Sequence, residues 1–419
     1  MKPSATAVTW RRLWLAISEV WDALPELLGL AQWTAIRSDL WELLRQLESG
    51  DAHAEQRIVE FFRAHPAVED VLGSAMARVG SVKAATARAG SEPVGRRSEV
   101  PVLFGTDRLW DGNTFGPEPN ERTLAFGVVR VNIPEDHRMG KFERPPSWRL
   151  AFWRKAHKYV EVLEREKLTE TAFSELACRS IAAARRRDVL IFIHGFNVTF
   201  DEAAMRAAQV AYDVRFEGQI MLYSWPSMGK VVGYPSDSDK IIQTERQLER
   251  FIDSVAMQSG AEHIHLIAHS MGSRALVHVL EKLKLKNEAG ATGAKLGEIV
   301  FAAPDIAQST FLDAAEAFAG NAARTTLYAS SRDYALKVSR KYNNSLRAGD
   351  SGLHLLLGDS FDTIDASTVK TSLLGHSFYG DNKTVLADLE LLIRTGLAAD
   401  ERSSLDRREG SRPYWIFRR

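Results

Sequence analysis

Along the second half of the chain, short apolar runs alternate with stretches whose apolar residues recur at every third or fourth position. The runs are Val189–Ile193, Gln219–Tyr223, Ile264–Ala268, Ile299–Ala302, Thr326–Ala329 and Phe361–Ile364. Runs this short and this continuously apolar predict strands buried on both faces. Most are separated by segments with the spacing of covering helices: Ala203–Val214, Ile241–Met257, Ser273–Leu285 and Val385–Leu397. Parallel strands need crossover connections, so the alternation predicts an α/β domain with a mostly parallel central sheet and helices on both faces.

Upstream, Val100–Phe104 and Leu124–Ile133 read as the first strands, the second rich in β-branched residues and closed by Pro134. A helical insertion of mixed charge is expected over Ser147–Arg187. The first 85 residues carry helical periodicity only, with Leu13, Ile17, Val20, Trp21, Leu24 and Leu27 on one stripe and Ile58, Phe61, Phe62, Val68, Val71 and Leu72 on a later pair. Gly80–Arg97 is small, polar and basic and lacks the periodicity to bury a face. The expected organisation is therefore an all-helical module at 1–85, a linker at 86–98, a catalytic domain at 99–398 and a tail at 399–419, whose closing aromatics (RPYWIFRR) dock on the body.

Composition narrows the class. The chain has 419 residues with 54 Lys+Arg against 54 Asp+Glu, so it carries no overall field for nucleic acid, and none is expected as a partner. Its one cysteine, Cys178, cannot form an internal disulfide. Arg11, Arg12, Glu19, Asp22, Pro25 and Glu26 interrupt the apolar stretch from Trp10 to Trp33, which reads neither as a membrane span nor as a secretory signal. A cytoplasmic location is expected. Trp10, Trp14, Trp21 and Trp33 beside the two arginines keep membrane contact by this module as a weak alternative to self-association or recruitment of a partner protein.

In an open parallel sheet, functional groups gather at the carboxyl ends of the strands. After Ile264–Ala268 comes His269-Ser270-Met271-Gly272, followed at once by a helical segment. This strand, sharp turn and helix form the setting of a nucleophile elbow, with Ala268 where the G-x-S-x-G pattern has its first glycine. Ser270 is the candidate nucleophile of an α/β-hydrolase fold. A serine needs a base and a supporting carboxylate, which follow in the order Ser, Asp or Glu, His. Of the downstream histidines His278, His354 and His376, the last sits in the loop after the final strand and is the candidate base. Asp333, after Thr326–Ala329, is the preferred acid, and Asp305, after Ile299–Ala302, is the competitor. Oxyanion donors are expected from the amides of Met271 and Phe196, with Asn197 in reserve, while His194 braces the turn. Trp225 and Met228 are candidate walls of a substrate pocket. The pair His263 and His265 alternates on a strand without a metal-ligand pattern, and no glycine loop for phosphates is present, so neither metal nor cofactor is expected.

These segments together resemble a family of bacterial α/β-hydrolases catalogued as domain of unknown function 900 and grouped with esterases and lipases. The likeness rests on FGTDR at Phe104–Arg108, LAFGVVRVNIP, FIHGFNVTFDEA, YSWPS with GYPSDSDK, IHLIAHSMGSRAL, FAAPDI, YASSRD and GHSFYGDN, and runs from about residue 99 to 395. It implies an α/β-hydrolase fold with Ser270, Asp333 and His376 as triad. Members often begin with an export or lipoprotein signal, which is not read here, and the helical module lies outside the likeness. The function expected is hydrolysis of a carboxylic ester, thioester or lipid ester through an acyl-enzyme on Ser270, on a small-molecule or lipid substrate. The alternative is a hydrolase-fold scaffold or regulated effector whose helical module mediates protein or membrane contact.

Overall fold

The computed structural model describes residues 98–143 except 121 and 122, residues 159–418 except 230–232, 289–294, 320 and 370–377, and individual positions between 36 and 65. By contact density the chain divides into Met1–Gly95 with Arg144–Tyr159, and Arg96–Glu143 with Val160–Arg419. In the first unit the described positions from 36 to 64 are helical, and Arg57 donates to Gln46 Oε1 through Nη2 at 2.9 Å. The rest of the expected helical module, and residues 86–97 of the expected linker, lie outside the described residues. Among the described residues no helix is long and apolar enough to cross a membrane.

The second unit is built on an eleven-stranded sheet. In chain order its strands and the small side ribbon are β1 (Ser98–Thr106), β2 (Arg108–Trp110), β3 (Phe115–Pro119), β4 (Ala125–Ile133), β5 (Glu161–Leu168), β6 (Asp188–Ile193), β7 (Gln219–Ser224), β8 (His263–His269), β9 (Lys295–Ala302), β10 (Ala322–Ala329), β11 (Asp362–Asp365), β12 (Leu405–Arg408) and β13 (Tyr414–Phe417). Their order across the sheet is β12-β13-β11-β10-β9-β8-β6-β7-β1-β4-β5, with β2 and β3 paired separately. From β13 to β1 all neighbours are parallel; β4, β5 and β12 are antiparallel additions at the two edges.

The helices are α1 (Glu170–Ala183), α2 (Phe200–Asp213), α3 (Tyr234–Gln243), α4 (Glu245–Gln258), α5 (Gly272–Glu288), α6 (Gln308–Asp313), α7 (Tyr334–Asn343), α8 (Phe378–Asp381) and α9 (Lys383–Thr395). The central strands are mostly apolar because both faces are covered, with Asp188, His265 and Glu298 among the buried polar exceptions. In β6, Val189, Ile191 and Ile193 enter the core beneath α1, α4 and α5, while Leu190 and Phe192 enter the core beneath α2 and α9.

Two expectations need correction. The helical insertion over 147–187 is partly strand: among its described residues Glu161–Leu168 is β5 and Glu170–Ala183 is helix. This edge strand is charged because much of it meets water, and its charges have cross-strand and helix partners, Glu164 with Arg130 at 3.4 Å and Arg165 with Asp201 at 2.8 Å. The final segment is also more than a docked tail. β13 pairs with β11 inside the sheet, and Trp415 and Phe417 are buried. Arg402 and Asp388 form a fully buried ion pair at 2.8 Å, joined by the hydroxyl of Tyr328, which donates to Asp388 at 2.6 Å.

Candidate active site

The sheet order reverses between β6 and β8. The chain passes from β6 outward to β7, and β8 returns to the other side of β6. The carboxyl ends of these two strands are therefore the switch point, the place where ligands bind in open α/β sheets. The register pairs Ile193 with Ala268, so His194-Gly195 and His269-Ser270 leave the sheet side by side.

Ser270 has φ 52°, in the left-handed region. A non-glycine residue there costs about 1–2 kcal/mol and persists only where its surroundings hold it. Three main-chain bonds hold it: Ser270 N–H donates to Ala302 O at 3.0 Å, and its own carbonyl accepts from Ser273 and Asp305, each at 3.1 Å. Gly272 opens α5 so close to β6 that a Cβ there would lie 2.4 Å from His194 O. Gly195 is equally constrained, since a Cβ on it would lie 2.7 Å from His269 Nδ1 and 2.8 Å from Ser270 Cβ. Both glycines are therefore steric requirements of one tight turn.

The loop carrying Gly195, Phe196 and Asn197 is held from beneath. Asn197 is itself left-handed at φ 59°. His194 is buried and stacks on Trp225, with ring centroids 5.1 Å apart, and the Trp225 indole donates to His194 O at 2.7 Å. Burial, reinforced by the Arg108 charge beside it, lowers the His194 pKa to about 3, so it is neutral at physiological pH. Its Nδ1 lies 2.8 Å from Gly195 O, and its Nε2 lies 3.1 Å from Trp225 O, 3.2 Å from Ser224 Oγ and 3.4 Å from Arg108 Nη2. The expected bracing role of His194 agrees with these contacts.

Trp225 has no exposed surface, so it is a support beneath the loop and not an exposed pocket wall. Met228 is half-buried, and its amide donates to Asp237 at 2.9 Å. Phe196 is half-buried with its ring edge-on to Tyr234, centroids 5.2 Å apart, and Met271 is buried at the start of α5.

The two candidate acids differ in their surroundings. Asp305 is buried in a saturated cluster: Oδ2 accepts from Arg274 at 2.8 Å and Tyr234 at 2.9 Å, Oδ1 accepts from Ser339, and Arg347 Nε, which donates to Ser339 Oγ, is ion-paired with Oδ1 at 3.0 Å. Burial alone would raise its pKa, but Arg274 and Arg347, with the two hydroxyls, hold it below the usual carboxylate value. Asp333 is buried at the start of α7, where Oδ1 accepts from Leu336 N–H at 3.0 Å. Its loop is fastened to the end of β11, Ser331 N–H donating to Ser367 Oγ at 2.8 Å. His376 lies outside the described residues.

Residues 169–394 match a family described as alpha/beta hydrolase of unknown function (DUF900). The chain belongs to this family. An uncharacterized Nostoc protein, alr1448 of strain PCC 7120, is 41% identical over 61 residues, 15% of this chain and 16% of its own length. Among solved structures, esterase B from Lactobacillus rhamnosis, inhibited by a tributyrin phosphonate, is similar at 14% identity with a TM-score of 0.27, covering 48% of this chain and 72% of that one. A Lactobacillus plantarum WCFS1 protein described as a cell surface hydrolase is similar at 12% identity with a TM-score of 0.32, covering 52% and 96%.

The sequence reading assigned no role to the FGTDR segment of this DUF900 chain. Gly105 admits no Cβ, because one would lie 2.3 Å from the Phe251 ring. Thr106 Oγ donates to Ser224 O at 2.6 Å, tying β1 to the end of β7. Asp107 accepts from Thr244 Oγ at 2.6 Å, and burial raises its pKa to about 6. Arg108 is buried and donates toward the 194–198 loop. The signal in the sequence was an arginine four residues after the apolar run Val100–Phe104, where a charge needs specific partners.

Proposed function

We propose that this chain is a serine hydrolase that cleaves a carboxylic ester, thioester or lipid ester through an acyl-enzyme on Ser270. The observation that carries the reading is the left-handed Ser270 at the β8 to α5 turn, at the switch point, with the Gly195 loop packed against it. A strained turn of this kind is the backbone that raises a nucleophile's hydroxyl above the sheet in a nucleophile elbow.

In this reading Ser270 Oγ adds to the carbonyl carbon while His376 takes the hydroxyl proton. That proton then goes to the departing alcohol or thiol as the acyl-enzyme forms. Water, deprotonated by the same histidine, attacks the acyl carbon, and the histidine returns that proton to Ser270 Oγ as the acid is released. The amides of Met271 and Phe196 donate to the oxyanion. Asp333 is the favoured partner of His376, because the oxygens of Asp305 are taken up by two guanidiniums and two hydroxyls. Capping α7 through Oδ1 is compatible with Oδ2 receiving an imidazole N–H.

The test is labelling of the full-length protein with a fluorophosphonate probe. Wild type should label; Ser270→Ala and His376→Ala should not; Asp333→Asn should label slowly. Folded wild type that neither labels nor turns over p-nitrophenyl esters would refute the assignment.

A further inference from the structure

We propose that Arg108 is a positioning residue for this reaction, setting the 194–198 loop so that its amide reaches the oxyanion formed at Ser270. The inference rests on the serine-hydrolase reading above.

Arg108 is 1% exposed, and its contacts fan out to the two loops beneath the site and to the side ribbon. Nε donates to Ser224 Oγ at 2.9 Å, Nη1 to Ser227 O at 3.0 Å and Gly116 O at 3.2 Å, and Nη2 to Val198 O at 2.7 Å. Nη2 also faces His194 Nε2 at 3.4 Å. These partners are carbonyls, a hydroxyl and an imidazole, so the guanidinium serves geometry here and not a close ion pair. Burial accordingly lowers its pKa to about 10, with the nearby Asp107 opposing the shift, and it stays charged at physiological pH.

Only six residues connect β6 to α2, and the middle of that loop is left-handed Asn197. Arg108 fastens both ends of the loop's short span, at His194 and at Val198, to the 224–227 segment. Ser227 Oγ adds a reciprocal tie, accepting from Val198 N–H at 3.3 Å and donating to Asp237 at 2.6 Å. Since Gly195 touches Ser270, the height of the loop is the height of the Phe196 amide above the elbow. A lysine keeps the charge but has a single nitrogen in place of the planar fork, so it cannot hold the same set of acceptors.

The experiment compares wild type, Arg108→Lys, Arg108→Met and Ser224→Ala in p-nitrophenyl ester turnover, with each rate divided by the sites titrated with fluorophosphonate. Inhibition by a trifluoromethyl ketone, whose hemiketal oxyanion needs the same donors, is measured alongside. In Arg108→Lys and Arg108→Met, kcat per titrated site should fall on the order of 10²-fold, as for loss of an oxyanion donor. KM should change little, and the ketone should weaken by the same factor as kcat/KM. Ser224→Ala, which removes one acceptor and keeps the charge, should lose several-fold in kcat. A folded Arg108→Lys with unchanged kcat per site overturns the proposal, whether or not its melting temperature falls. If both arginine variants fail to fold, unchanged kcat per site in Ser224→Ala overturns it. Wild type with neither labelling nor turnover overturns the hydrolase reading and this one together, an outcome distinct from active wild type with indifferent variants.

Discussion

Gly195 and Ser270 stand against each other so closely that a single methyl group on Gly195 would lie 2.8 Å from the Ser270 Cβ. The loop after β6 and the elbow after β8 therefore behave as one packed object. An added methyl must move one of them. In Gly195→Ala the loss of ester turnover should be on the order of 10²-fold, the scale of an approximately 1 Å misplacement at a reacting group. Stopped-flow labelling by a fluorophosphonate would measure it, and wild-type labelling rates would contradict the packing argument.

Gly272→Ala tests the other side of the same turn. Its Cβ would meet the carbonyl oxygen of His194, a backbone atom that cannot rotate away. Destabilisation by about 1–3 kcal/mol is expected, the range for overpacking, and would be read as a lower urea midpoint with unchanged slope.

The two aspartates should fail differently. Asp305→Asn disturbs a carboxylate shared by Arg274 and Arg347, so stability should fall by about 3–5 kcal/mol, as when one partner of a buried ion cluster is removed. Asp333→Asn should leave most of the stability and lower kcat on the order of 10⁴-fold, the scale for a triad carboxylate turned to an amide. Thermal melts and turnover per titrated site separate the two, and the reverse pattern would make Asp305 the triad acid.

Glu298 should make stability depend on pH. It is buried on β9 opposite Arg324, and burial, opposed by the charges of Arg324 and Arg402, raises its pKa from 4.5 to about 7. The folded protein then holds a proton that the unfolded chain releases. The contribution of this group is fully present below pH 4.5 and is lost as pH rises through 7. Denaturant melts of wild type and Glu298→Gln across that window should show wild type losing stability relative to the variant as pH rises, and parallel curves would refute the shift.

Most of the six inner strands were legible as apolar runs because a strand covered on both faces is dominated by apolar positions, as in β6 and β7. The elbow was legible because its residues are contiguous: a strand, a serine in a tight turn and a helix fall within one stretch of sequence. β5 was not legible, since an edge strand whose charges are matched across β4 and α2 has no apolar signature distinguishing it from a solvated helix. β12 and β13 were hidden for a related reason. They are four residues each, and their membership depends on pairing with β11 and on the buried Arg402–Asp388 pair.

By itself, then, the sequence determined the alternation of strands and helices, the serine turn and the order of its candidate partners, because local periodicity and contiguous motifs encode burial and turn geometry directly. Tertiary structure alone decided that Asp305 is spent on two arginines, that Trp225 lies beneath the loop and that Arg108 holds that loop. Those roles depend on contacts between residues roughly 30 to 120 positions apart, and such contacts exist only once the sheet has brought its strand ends together.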